Sequence, residues 1–136
     1  MPAGKFIRAS EIKREHMDWG ELGWLSRPAM TNAKNLVVIE VTLKPGAGHD
    51  FHQHPAQEEA IYVIAGEIEQ WLENKKQVLR PGDCVFIPPG VVHASFNTGD
   101  QPATLLVTLG PVVGEAGYEV VEVGTKAPWN SLRPGS

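Results

Sequence analysis

The sequence predicts an all-β fold, and three observations carry that reading. Fourteen glycines and eleven prolines in 136 residues punctuate the chain so densely that helices longer than a few turns have little room. From Asn35 onward, short β-branched and aromatic runs alternate with turn signals, which is the pattern of regularly spaced strands. The length is that of about one domain of ~100–150 residues. A curled sheet, a jelly roll or a barrel would bury six or more such strands without open edges, so one of these architectures is expected.

The elements follow in chain order. Residues 1–34 form an N-terminal extension. Within it, Ser10 to Trp19 is the one helical window, with Ser10 as a possible N-cap and Lys13 and Glu15 as helix formers; a turn or two is expected. Strands are expected at Leu36–Leu43, Glu59–Ile64, Ile68–Leu72, Val85–Ile87, His93–Phe96 and Leu105–Leu109. Pro-Gly and Gly-Asp corners such as Lys44-Pro45-Gly46, Arg80-Pro81-Gly82-Asp83 and Asn97-Thr98-Gly99-Asp100 separate them. These runs define a barrel core over 35–111. Residues 112–136 form a C-terminal extension with Tyr118, a strand-like Val120–Val123 and Trp129, ending in a tail from Arg133 expected to be disordered. The flanking aromatics are expected to seal the barrel ends or a subunit interface. Both faces of the 59–64 run are apolar, Ile61 and Val63 against Tyr62 and Ile64. That predicts an outer face covered by the flanks or by a second copy, and hence a homodimer.

Twelve Lys and Arg stand against sixteen Asp and Glu, for a net charge of −4, and no basic stretch is interleaved with aromatics, so nucleic acid is not an expected partner. No apolar run approaches the ~20 residues that span a bilayer, and charged residues occupy the place of a signal peptide's apolar region. A cytoplasmic protein without a membrane partner is therefore expected. The single cysteine, Cys84, cannot form an internal disulfide and is expected to be a buried, inert thiol.

Four of the five histidines lie between positions 49 and 93. On a strand, His52 and His54 at i and i+2 point the same way, a spacing that lets two ring nitrogens close on one ion. Glu59 and His93 open later β runs, so a curled sheet can bring all four side chains to one interior point. Alone, a His-x-His pair would more often be a surface feature; the surrounding spacing changes that. Gly46, His52, His54, Glu59 and Gly66 follow the string G-x5-H-x-H-x4-E-x6-G, and Gly82, Pro88, Gly90, His93 and Asn97 follow G-x5-P-x-G-x2-H-x3-N.

These strings resemble the two signature motifs of the cupin superfamily, and the resemblance spans about residues 36–109. It implies a jelly-roll barrel holding one divalent transition metal ion per chain on His52, His54, Glu59 and His93. Three imidazoles and one carboxylate suit Fe, Mn, Ni, Co, Cu or Zn. The glycines and prolines of the motifs read as corners, and Asn97 as the tie for the turn after His93.

Strict alternation puts His49 on the face opposite His52, at the rim, and Glu58 opposite Glu59. Phe51, Tyr62, Trp71 and Phe96 read first as packing residues. A barrel mouth beside Phe51, Gln70 and Phe96 would make those three, with Ser95 on the face of His93, the substrate-contacting set. Glu59 could leave the metal and act as the catalytic base. The functional expectation is a small metal-dependent enzyme of the dioxygenase type acting on an anionic or enol-bearing small molecule. A metal-dependent isomerase or hydrolase, or a sensor cupin without turnover, is the alternative.

Overall fold

A computed structural model describes residues 4–133. It contains two facing antiparallel sheets built from eleven strands. β1 (Lys13–Met17), β2 (Gly20–Ser26), β3 (Val37–Leu43), β5 (Glu58–Ala65), β8 (Cys84–Ile87) and β10 (Ala103–Gly110) form one sheet, in the order β1-β2-β3-β10-β5-β8. β4 (Gly48–Gln53), β6 (Ile68–Leu72), β7 (Lys75–Leu79), β9 (His93–Asn97) and β11 (Val121–Glu122) form the other, in the order β11-β4-β9-β6-β7. The strand crossings are those of a jelly roll, but the two sheets stay separate and do not close into the continuous barrel that was expected. A short helix, α1 (Pro28–Thr31), links β2 to β3.

Alternation organises the core. In β3 the residues Val37, Ile39, Val41 and Leu43 are buried while their neighbours are half-exposed, and Ala103, Leu105, Val107 and Leu109 of β10 repeat the pattern. Their inward faces, with Leu22, Trp24, Ile61 and Val63, make the main apolar cluster. A second cluster of Phe51, Trp71, Val92, Ala94, Phe96 and Val123 lies on the other face of the five-stranded sheet, packed against Trp129 and Leu132 of the C-terminal segment.

The turn glycines act where expected. Gly66 adopts φ 80°, and a Cβ there would stand 2.8 Å from the Ala103 Cα. Asn97 ties its corner by donating from Nδ2 to the carbonyls of Leu43 (3.1 Å) and Gln101 (2.7 Å), while its Oδ1 accepts from the Gly99 amide at 3.0 Å.

Three expectations are corrected. The helical window resolves into a single 3-10 turn at Ala9–Glu11 followed by β1, which pairs with β2. Cys84 is exposed, because β8 is an edge strand and turns Cys84 and Phe86 outward. The tail was expected to begin at Arg133, yet Arg133 is held by Glu69, Nε to Oε2 at 2.7 Å, with its guanidinium 3.7 Å above the Phe96 ring; residues 134–136 lie outside the described residues. On the outward face of the larger sheet, Tyr62, Ile64 and Phe86 are exposed.

Candidate metal centre

The candidate site lies between the two sheets. His52 on β4 and His93 on β9 are direct cross-strand partners, and His54 follows immediately after β4. Glu59 reaches in from β5 of the opposite sheet, where it pairs with Leu109 and Ile87. All four side chains are buried. One ligand atom from each of the three histidines lies within 4.8 Å of the others.

Backbone carbonyls set the imidazole tautomers. Nδ1–H of His52 donates to the Asp50 carbonyl (2.6 Å), that of His54 to Glu119 (2.8 Å) and that of His93 to Val91 (3.0 Å). A carbonyl can only accept, so each Nδ1 carries the proton and each Nε2 presents a lone pair. His93 Nε2 lies 2.8 Å from Glu59 Oε1, and His54 Nε2 lies 3.3 Å from the same oxygen. Glu59 Oε1 and His93 Nε2 are also the buried side-chain polar atoms without a hydrogen-bond partner among the described residues. Facing acceptors at such distances call for a cation or a shared proton between them. The donor set therefore fits a divalent transition metal ion held by His52, His54, His93 and Glu59.

The electrostatics agree. Burial, reinforced by the neighbouring His49 and His93, pushes the His52 pKa well down and keeps that ring neutral. Burial alone would raise Glu59, but the adjacent His54 and His93 imidazoles hold it well below the usual carboxylate range. Burial would likewise lower His54, and the Glu59 carboxylate outweighs that and raises it.

A cavity of about 280 Å³ opens beside this cluster. Its wall includes His52, His54, Glu59 and Ser95, and it reaches solvent past half-buried Trp19, half-buried His49 and exposed Glu122. The other proposed contacts lie elsewhere. Phe51 and Phe96 belong to the second apolar cluster and do not line the cavity. Gln70 points inward but is taken up by its surroundings: its Nε2 donates to the Trp71 carbonyl at 3.1 Å, and its Oε1 accepts from Ser95 Oγ at 2.6 Å. The cavity beside the cluster is thus bordered by Trp19, His49 and Glu122, while Gln70 lines a separate cavity with Leu72, Lys75 and Val85.

His49 was expected on the opposite face. The β4–β9 register slips by one residue between His49 and His52, and the bulge turns His49 to the cavity side. Its ring stacks on His52, with centroids 3.6 Å apart and planes 8° apart, and its Nε2–H donates to the Glu122 carboxylate at 3.0 Å.

Gln57 was not singled out in the sequence. It is 1% exposed; its Nε2 donates to the carbonyls of Pro111 (2.8 Å) and Gly117 (3.0 Å), and its Oε1 accepts from the Glu119 amide (3.1 Å). Those bonds fix the segment whose Glu119 carbonyl orients His54. Gln57→Ala is expected to stay folded by circular dichroism yet bind Zn(II) about 10–100-fold more weakly in a chelator competition, as for other outer partners of metal-bound histidines.

Two facing jelly-roll sheets with an inward histidine cluster define a class of small β proteins that carry a candidate metal site in the sandwich. Residues 39–109 match the family Cupin_2, described as a cupin domain, and the chain belongs to the cupin family. Protein SchB of Streptomyces halstedii is 36% identical over 108 residues, covering 79% of this chain and 78% of that protein. Polyketide synthase CurC of Streptomyces cyaneus is 27% identical over 124 residues, covering 91% and 79% respectively. The crystal structure of an uncharacterized conserved protein with a double-stranded β-helix domain from Klebsiella pneumoniae superposes with a TM-score of 0.69 at 25% identity, covering 88% of this chain and 99% of that one.

Proposed function

We propose that this chain is a metal-dependent enzyme, of the dioxygenase type, that acts on a small molecule through an anionic or enol oxygen. The observation that carries the reading is the convergence of three imidazole Nε2 atoms and a buried carboxylate beside a cavity open to solvent. A divalent ion bound there would supply Lewis-acid polarisation and, for a redox-active metal, a path to reaction with O2. The chain's own residues provide the rest. The backbone carbonyls of Asp50, Val91 and Glu119 hold the rings in one tautomer, Glu59 supplies the negative charge, and the apolar sheet faces exclude water around a bound molecule. The name of the CurC relative supports an enol-bearing substrate, since polyketide chains are rich in enolisable β-carbonyls.

The test is to load the full chain with Fe(II) without oxygen, add catechols, β-diketones and hydroxy acids, and follow both the metal spectrum and oxygen consumption. Uptake that depends on one of these compounds and disappears in His93→Ala is expected. Spectral binding without uptake would favour an isomerase, a hydrolase or a sensor, and no response of the metal to any compound would defeat the proposal.

A further inference from the structure

We infer that the cavity selects a ligand carrying a single negative charge at its anchoring end and an apolar, ring-bearing body elsewhere, with Trp19 as the wall that rewards the larger body. This deepens the proposed function and rests on it for the anchoring end.

The polar groups of the cavity are gathered at one side. His52, His54 and Glu59 stand at the cluster, and His49 and Glu122 stand at the mouth. Aliphatic side chains of β2, β3, β5 and β10, together with Trp19 and Tyr118, make most of the remaining wall. Among the described residues, no lysine or arginine lines it. A second anionic group on the ligand would therefore face aliphatic carbon or the Glu122 carboxylate, and a buried charge without a partner binds poorly. Hydroxyl-rich ligands find few partners: the Ser95 hydroxyl already donates to Gln70, which leaves its lone pairs and the Tyr118 hydroxyl as the wall's hydroxyl partners. Leaving ligand hydroxyls unpaired costs affinity.

An apolar body, by contrast, gains from every buried carbon. The space between two packed sheets is a slot, which suits a flat molecule. Trp19 is held in place to form part of that slot. Its ring stacks on His49, with centroids 5.2 Å apart and planes 12° apart, and His49 in turn stacks on His52. Its carbonyl also accepts the Lys44 amide at 2.9 Å. The column of parallel rings runs from a cluster histidine to the mouth, so the indole is a fixed wall.

Three probes separate charge from size. Salicylate and 3-hydroxy-2-naphthoate share one monoanionic chelating end and differ by a fused ring, whereas phthalate has about the size of salicylate and two charges. The full chain, metal-free and loaded with Zn(II), is titrated with each by calorimetry, with tryptophan fluorescence as a second readout. The naphthoate is expected to bind about tenfold or more tightly than salicylate, and phthalate about tenfold or more weakly. Trp19→Ala should bring the naphthoate-to-salicylate ratio down to about threefold or less with zinc content unchanged, and Trp19→Phe should give an intermediate ratio. Equal affinities for salicylate and the naphthoate, or phthalate binding as well as salicylate, would overturn the inference. A size preference unmoved in both Trp19 variants would overturn the role of Trp19. Failure to take up zinc would instead count against the proposed function, and the ring preference of the metal-free chain would still decide the shape of the cavity.

Discussion

His93→Ala will bind Zn(II) at least about 100-fold more weakly than the wild type, for which about one equivalent of divalent metal per chain is expected. Substitution of a residue that merely orients a metal-bound histidine costs about 10–100-fold, and loss of a donor atom should exceed that. His93 is 1% exposed and pairs directly with His52 across β4 and β9, so its Nε2 has little freedom to be replaced by a neighbour. Elemental analysis and chelator competition give the result, and circular dichroism shows whether the sheets survive. A His93→Ala protein that retains a full equivalent of metal would show that the cluster is not the binding site. The pH dependence has a defined sign. Glu59 raises the His54 pKa against the effect of burial, so below that raised pKa a proton competes for the donor nitrogen, and metal affinity should fall as the solution is acidified.

Trp24→Ala should cost about 3–5 kcal/mol of stability. Trp24 is 2% exposed, its Nε1–H donates to Glu15 at 3.1 Å, and the Arg27 guanidinium lies 4.1 Å above its ring. The ring also meets Tyr118 from the C-terminal segment, with centroids 5.4 Å apart. One side chain thereby joins the N-terminal hairpin, the main core and the segment that carries part of the cavity wall. Urea unfolding should show a lower midpoint at an unchanged slope. An unchanged midpoint would mean that the β1–β2 hairpin contributes nothing to the stability of the core.

Strands that alternate cleanly between buried and half-exposed residues, such as β3 and β10, were legible from composition and turn chemistry. So was the convergence of His52, His54, Glu59 and His93, because strand alternation puts His52 and His54 on one face and the spacing of all four follows the two motif strings. Less of the rest could be read. β1 is Lys-Arg-Glu-His-Met, with four exposed residues and one half-buried, so its sequence carries no alternation and its good helix formers point elsewhere. β7 is an edge strand, and four of its five residues are exposed. His49 was misplaced because a bulge adds one residue to the count between it and His52, and a period-two argument cannot see a bulge. Gln57 escaped notice because its importance lies in three hydrogen bonds to a segment more than fifty positions away. Phe51 and Phe96 are buried as aromatic strand residues suggest, but on the sheet face turned away from the cluster.

The division of the candidate donors between two sheets, three histidines on or beside one and Glu59 on the other, makes an occupied site a cross-link between layers that share no β-ladder. An ion that binds only the assembled sandwich adds RT ln(1 + [M]/Kd) to its stability, about 2.7 kcal/mol at a free metal concentration one hundred times Kd. Thermal stability should then track metal supply, so that a cell short of the ion would hold a looser protein. Amide hydrogen exchange offers a direct view of this linkage: on metal loading, protection should rise together in β4, β9 and β5, the strands that carry the donors, and much less in the outlying β1 and β7.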